Sequence, residues 1–479
     1  KNMKVVICML LLLAFTQARM FKTTSEELKL NEENSNEDYF WYTQKLDHFN
    51  PQCNATWQQR YYDINQYWDP KTGPLFLYIC GEGTCRKPSD TSFVVKMAKA
   101  FKGRVLALEH RFYGMSQPTK DWSTENLKFL TPDLGLADLA QFATAKSVEF
   151  SAQYGIPHRR WITVGGSYPG AMSAWFRYKY PHIAFAALSS SGVVDAIADY
   201  HQYDEQIFNS TAKSGLECPQ KFINATQYIE KMINNGERRK VFSIFGFDGD
   251  LVDGEFYYFL GDLAAGAVQG GTRTTFCKSL AELPNDNETV MHWLADYAAK
   301  SGLSLEEYGA ASLKNTTIDF PKNARQWTYQ TCANLGYFQT PAQVGIPMRG
   351  LNMKIDFWQS FCERVYGVKI FPDTFHYNTR FGAKGLKATK IIFTNGSEDP
   401  WKHASITKTD DPNLIPIEIV CDDCAHCVDL HADSPTDAPA LVAARRKIMG
   451  HMEGWIQQEL HSEAVYPSMV EASLREFVE

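Results

Sequence analysis

Three residues far apart in the chain have the types and surroundings that nucleophilic catalysis requires. Ser167 stands at the corner of Trp161-Ile162-Thr163-Val164-Gly165-Gly166-Ser167-Tyr168-Pro169-Gly170. Strand formers there run into a glycine pair, and a helix-compatible segment follows until Pro181. A serine hydroxyl is a poor nucleophile, so a chain that uses one must hold its oxygen clear of the backbone and beside a base. A sharp strand-to-helix turn does this and needs small neighbours, which Gly165, Gly166 and Gly170 supply. The G-x-S-x-G spacing is broken by Pro169, and an ordinary glycine-rich turn is the competing reading. Asp399 lies in the turn Asn395-Gly396-Ser397-Glu398-Asp399-Pro400-Trp401, just after the strand-like run Lys390-Ile391-Ile392-Phe393-Thr394. His426 follows the last strand-like run, Pro416-Ile417-Glu418-Ile419-Val420. A serine, then an acid, then a histidine, each after a strand, can pass a proton: His426 takes it from Ser167 while Asp399 holds the imidazole tautomer and stabilises its cation. Glu398 is the rival acid, His431 the rival base, and Asp433 a more distant candidate.

The elements that must position these residues read as alternating strand and helix. Pro74-Leu75-Phe76-Leu77-Tyr78-Ile79-Cys80 is a continuous apolar run of the kind buried on both faces of a sheet. It ends in Gly81-Glu82-Gly83. The loop after such a strand can offer a backbone N–H, and Gly83 with the Tyr168 N–H is the expected oxyanion pair; the competing reading is a tight turn. Arg104 to Arg111 reads as the next strand, with His110 and Arg111 expected to pin a loop. His48 is expected to sit in a turn. A helix of about twenty residues follows, with Leu134, Leu136, Leu139 and Phe142 toward a core and Gly155 as its stop. Phe185 to Ser191 is another strand. The alternation predicts a mostly parallel sheet. Residues 41–192 therefore form the first part of one α/β domain. Helical periodicity over 193–360 marks an insertion above the carboxyl edge of the sheet, and 361–479 resumes the domain, closing with an amphipathic helix from about Ala438 to Leu460. Arg325-Gln326-Trp327-Thr328-Tyr329-Gln330-Thr331-Cys332, inside the insertion, either lines a pocket or forms the interface.

With 479 residues, 44% hydrophobic and 22% charged, the chain suits one large catalytic domain plus an insertion. Its net charge of -7 argues against a nucleic-acid partner, and no apolar stretch is long enough to span a bilayer. Residues 1–20 read as a signal peptide, and 21–40 as a polar leader. Sequons at Asn54, Asn209, Asn224, Asn287 and Asn315 would each mark a glycosylated surface loop, whereas the one at Asn395 falls within the acid's own loop and is expected to stay unused. These features place the protein in the secretory or lysosomal lumen. Loss of Cys8 with the signal leaves ten of the 11 cysteines, enough for five bridges. Connectivity is not readable, and Cys332 with Cys362 and Cys218 with Cys277 are trial pairings. Cys421, Cys424, His426 and Cys427 have ligand types that zinc prefers, but in a cysteine-rich secreted chain disulfides are the favoured use. No metal or cofactor is called for.

Eight blocks in order, Leu46-Asp47-His48-Phe49, Gln59-Arg60-Tyr61, Glu109-His110-Arg111-Phe112-Tyr113-Gly114, Leu136-Ala137-Asp138-Leu139, Gly165-Gly166-Ser167-Tyr168, Tyr329-Gln330-Thr331-Cys332, Asp399-Pro400-Trp401 and Ala425-His426-Cys427-Val428-Asp429-Leu430, resemble the prolyl carboxypeptidase / dipeptidyl peptidase II family of serine peptidases, nearest its thymus-specific serine protease branch. The resemblance spans about residues 40–460. It implies an α/β-hydrolase fold with a helical cap (insertion) domain, and a serine exopeptidase acting on short peptides after proline or a small residue. By the same likeness Ser167, Asp399 and His426 match the triad positions, and Trp401 falls on an aromatic wall of the proline pocket. Glu82 or an arginine of the cap would face the substrate terminus, which leaves open the choice between carboxypeptidase and dipeptidyl peptidase. The family often has glycine where this chain has Pro169, and prolyl carboxypeptidase has methionine where this chain has Ala171; the second change would widen or reshape the pocket, which puts strict proline preference in doubt. An esterase or lipase on the same scaffold is the alternative. Dimers occur in the family, so a homodimer is left open.

Overall fold

A computed structural model describes residues 38–320 and 322–465. The expected signal peptide at 1–20 and residues 21–37 of the expected polar leader lie outside the described residues. Phe40, assigned to the leader, is instead the first residue of a strand.

The chain opens with β1 (Phe40–Lys45) and β2 (Thr56–Ile64), an antiparallel pair. It continues through β3 (Leu75–Ile79), α1 (Phe93–Phe101), β4 (Arg104–Leu108), α2 (Pro132–Tyr154), β5 (Trp161–Gly166), α3 (Tyr168–Lys179) and β6 (Ala184–Ser190). The sheet is completed by β9 (Ile391–Gly396) and β10 (Leu414–Ile419), in the order β1-β2-β4-β3-β5-β6-β9-β10. From β4 onward every neighbouring pair is parallel. This is the α/β-hydrolase arrangement.

The strand sequences explain the burial. Side chains alternate across a strand, so a run that is apolar at every position serves two cores at once. Leu75, Leu77 and Ile79 of β3 join one core with α2 and α3. Phe76, between them, joins the other core with α1 and the last helix (Pro439–Val465). Helix α2 starts and stops by local chemistry. Thr131 caps it by accepting the Leu134 N–H at 3.2 Å, Pro132 opens it, and Gly155 leaves it with φ 62°.

Between β6 and β9 the chain forms β7 (Ile197–Asp199), α4 (His201–Ala212), α5 (Glu217–Met232), α6 (Asp253–Gln269), α7 (Arg273–Ala281), α8 (Asn287–Lys300), α9 (Ala324–Gln330), β8 (Gly336–Phe338) and α10 (Ile355–Tyr366). Strands β7 and β8 make a separate parallel pair. Among the described residues no helix is long and apolar enough to cross a membrane.

Both trial disulfides form: Cys218–Cys277 joins α5 to α7, and Cys332–Cys362 ties the end of α9 to α10. Cys80–Cys85 and Cys421–Cys424 are additional. The five bridges that ten cysteines permit reduce to four, because Cys53 and Cys427 remain thiols. The sequon asparagines Asn54, Asn209, Asn224, Asn287 and Asn315 are all exposed, whereas Asn395 is buried in β9. Asn209, Asn224 and Asn287 sit on helices rather than on the loops that the sequence suggested. Cys218–Cys277 closes a separation of 59 residues, so loop entropy makes it a strong constraint on the unfolded chain. Replacing both cysteines with alanine is expected to lower stability by about 2–4 kcal/mol in denaturant unfolding.

Candidate active site

Strand β5 delivers Ser167 at a backbone that side chains rarely adopt, φ 64° and ψ -128°, before α3 begins at Tyr168. Close approach dictates the glycines around it. A Cβ on Gly165 would lie 2.2 Å from the Pro169 carbonyl oxygen, and one on Gly170 would lie 2.6 Å from that of Ser190. Pro169 breaks the G-x-S-x-G spacing without breaking the turn. It is the second residue of α3, where its missing N–H is not needed, and its ring meets the loop after β3, since a Cβ on Gly81 would lie 2.7 Å from the Pro169 Cγ. The Tyr168 N–H is the first amide of α3 and has no acceptor within the helix. Gly83 stands two residues beyond Gly81 in the loop that packs on this turn.

Asp399 and His426 meet directly. The Asp399 carboxylate is fully buried, with both oxygens 2.9 Å from His426 Nδ1. Its Oδ1 also accepts the Trp401 N–H at 2.9 Å, capping the short turn Pro400–Ala404. His426 is 6% exposed, and its Nε2 is sealed from solvent without a hydrogen-bond partner. The histidine loop rests on the end of β5, beside Ser167 in the chain: a Cβ on Gly166 would lie 2.8 Å from Cys427 Sγ and 2.6 Å from Leu430 Cδ1. Asp429 pins the loop there by accepting the hydroxyls of Ser190 at 2.6 Å and Thr394 at 2.8 Å. No hydrogen bond joins Ser167 Oγ to His426 Nε2. Such bonds tighten when substrate enters. Burial opposes an imidazolium at His426, but the Asp399 carboxylate and, after it, the neighbouring Cys427 sulfur outweigh it and hold the group well above the ordinary imidazole value.

The rivals are occupied elsewhere. Glu398 is buried against Arg273 at 2.5 Å and Lys213 at 3.3 Å. Asp433 pairs with Lys96 on the surface. The His431 backbone forms an isolated β-bridge with that of Ser92, away from Asp399, and burial together with the Arg445 charge holds its imidazole low. His48 and Arg111 converge on Asp138 at 2.7 Å, a structural knot that also receives Arg111 bonds to the Leu46 and Phe129 carbonyls. His110 lies under the turn, 3.2 Å from the Tyr168 hydroxyl. Cys421 and Cys424 are bonded to each other, so their sulfurs are not thiolates.

Trp401 is 9% exposed, and its ring centre lies 6.2 Å from that of His426. Tyr200, Tyr203 and Tyr337 surround it at 5.6, 5.1 and 5.6 Å, and its Nε1 donates to Gln269 Oε1 at 2.8 Å. None of these partners is marked by a motif, because they come from three separate pieces of the helical segment. Glu82 is half-buried with Oε1 sealed and unpartnered. Burial pushes its carboxyl up to about 7, while the nearby His426 charge pulls the other way. The Arg325–Cys332 segment meets the sheet side: Tyr113 donates to Gln330 Oε1 at 2.6 Å, Arg325 to the Trp122 carbonyl at 2.8 Å, and Trp327 lies 5.8 Å from the Tyr168 ring. Ala171 is fully buried in α3.

A family profile described as "Serine carboxypeptidase S28" matches residues 44–448. An Arabidopsis thaliana protein named "Probable serine protease EDA2" is 34% identical over 428 residues, which cover 87% of this chain and 83% of that protein. The thymus-specific serine protease of Homo sapiens is 29% identical over 455 residues, covering 87% of this chain and 86% of its own. The lysosomal Pro-X carboxypeptidase of Mus musculus is 26% identical over 455 residues, covering 87% of each.

Proposed function

The chain belongs to the serine carboxypeptidase S28 family of peptidases, and from that premise we propose that it is an exopeptidase removing residues from the ends of short peptides, after proline or a small residue, with Ser167, Asp399 and His426 as its triad. The observation that carries this reading is the buried Asp399–His426 pair, both carboxylate oxygens 2.9 Å from Nδ1 and Nε2 free, beside a serine held in a strained turn.

Ser167 Oγ attacks the scissile carbonyl carbon as His426 Nε2 takes its proton. The carbonyl oxygen becomes an oxyanion held by the Tyr168 N–H and, from the facing loop, the Gly83 N–H. The intermediate collapses, His426 returns the proton to the departing amine, and an acyl-Ser167 ester remains. Water, deprotonated by the same nitrogen, releases the acid and restores the serine. Trp401 and its tyrosines offer a rigid aromatic wall that suits a proline ring. The helical segment between β6 and β9 acts as a cap that admits chain ends.

Glu82 is the group that answers to a substrate's free α-amino end, since its buried Oε1 has no hydrogen-bond partner. The carboxyl ionises at about 7, so KM for a peptide with a free amino end should fall as pH rises through that value, until the substrate amine itself titrates near pH 8. Glu82→Gln should raise that KM by about tenfold or more and remove the pH dependence. Five exposed sequon asparagines and four disulfides favour a lumenal or extracellular home. Endoglycosidase treatment of the secreted protein should increase its mobility on a gel.

The test is hydrolysis of two proline peptides, one blocked at its amino end and one at its carboxyl end. Cleavage of only the free-amino peptide makes the protein a dipeptidyl peptidase, and cleavage of only the other makes it a carboxypeptidase. Cleavage of neither, with hydrolysis of simple esters, replaces the peptidase reading with the esterase one.

A further inference from the structure

Arg273 lies on the first turn of α7, in the helical segment, yet most of its partners belong to the loops that carry Asp399 and His426. The side chain is 2% exposed. Its Nε donates to Glu398 Oε2 at 3.0 Å and its Nη2 to Glu398 Oε1 at 2.5 Å. Nη2 also donates to Asp422 Oδ1 at 2.7 Å, and Nη1 to Ser214 Oγ at 2.7 Å. Glu398 immediately precedes Asp399. Asp422 stands in the loop that Cys421–Cys424 closes just before His426.

The backbone around Arg273 follows the same line. The Thr274 N–H donates to Asp423 Oδ1 at 3.0 Å, the His426 N–H to the Gln269 carbonyl at 3.3 Å, and the Glu398 N–H to the Cys424 carbonyl at 3.0 Å. Gly271, at φ 69°, lets the corner between α6 and α7 approach the Asp423 carbonyl. Lys213, just after α4, completes the charged set, so that two cations face the carboxylates of Glu398, Asp422 and Asp423.

We infer that Arg273 is a positioning residue: its planar fork ties the acid loop to the histidine loop, so the seating of the helical segment and the alignment of Asp399 with His426 are one event. Only a fork does this, because a lysine ammonium is a point charge that holds one carboxylate well and cannot fix two in a plane. The inference rests on the reading of Asp399 and His426 as the working pair.

The test compares the wild-type full chain with Arg273→Lys and Asp422→Asn, using a proline peptide and, separately, irreversible inactivation by a small fluorophosphonate. Arg273→Lys keeps the charge and loses the fork. Its kcat should fall by about tenfold to a hundredfold with KM within about twofold. The inactivation rate should fall in parallel, because the reagent needs the serine and its base but no peptide contact in the cap. The acid limb of kcat/KM should move to lower pH, since a slack Asp399 raises His426 less. Asp422, 78% exposed, can be changed without threat to folding, and Asp422→Asn should show the same signs at about threefold. A lowered Tm with kcat, inactivation rate and acid limb all unchanged would make Arg273 a plain structural tie. A rise in KM alone would make it a substrate contact. If Arg273→Lys does not fold, an Asp422→Asn protein identical to wild type in these readouts overturns the inference. A wild type that cleaves no peptide counts instead against the proposed function.

Discussion

Ser167→Ala is expected to abolish peptide hydrolysis, lowering kcat by about ten-thousandfold to a millionfold, with KM and thermal stability close to those of the parent. The size follows from the chemistry. With the oxygen gone no acyl-enzyme forms, and only the oxyanion donors and the aromatic wall remain to assist direct attack by water. The selectivity for kcat follows from the structure, because the Ser167 backbone makes the local bonds, accepting the Ala171 N–H at 3.0 Å and donating to the Ser190 carbonyl at 2.9 Å. Both survive the substitution, and alanine occupies the same backbone conformation at no added strain beyond serine's own. Steady-state kinetics beside a melting curve check both halves. A variant that keeps peptidase activity would move the nucleophile elsewhere.

Asp399→Asn should cost about ten-thousandfold in kcat near neutral pH, again with little change in KM. The isosteric amide cannot accept two bonds from Nδ1. Its NH2 group favours the tautomer that places a proton on Nε2, where the serine's proton must go. The sign of the pH effect is fixed by the same pair. The carboxylate holds His426 above the ordinary imidazole value, and His426 works as a base only when neutral, so activity in the parent rises as pH rises through that elevated value. Without the carboxylate the largest upward pull on His426 is lost, burial gains weight, and the limb moves to lower pH. Glu398→Gln provides the contrast. It removes the charge beside Arg273 but leaves both Asp399 oxygens on Nδ1, and its loss in kcat should be far smaller. Equal losses in the two variants would make Glu398 the acid.

The sequence carried the strands and the three site positions for one physical reason. A strand buried on both faces has no polar positions, so runs such as Leu75–Ile79 and Ile391–Phe393 stand out, and the loops after them are then few. The elbow was half legible. Gly165, Gly166 and Gly170 are forced by contacts the spacing implies, but that Pro169 fits depends on the packing of Gly81 against its ring, which only the fold reveals. The aromatic wall was mostly illegible. Trp401 sits in a recognisable turn, whereas Tyr200, Tyr203 and Tyr337 are ordinary helical and short-strand residues until β7–β8 pairing draws them together. Arg273 was hidden for a similar reason: the pattern of α7 shows a helix, and nothing in it says that its arginine meets the two loops carrying Asp399 and His426. Local cysteine pairs such as Cys421–Cys424 competed with a metal reading that sequence spacing alone does not resolve.

The measurement that tests the central claim most directly is mass spectrometry of the active protein after treatment with a fluorophosphonate and digestion with trypsin. The tryptic fragment Trp161–Arg177 should carry one adduct, on Ser167, in proportion to the peptidase activity lost, with Asp399→Asn labelling much more slowly. An inactivated protein with Ser167 unmodified, or full peptidase activity with Ser167 labelled, would contradict the account.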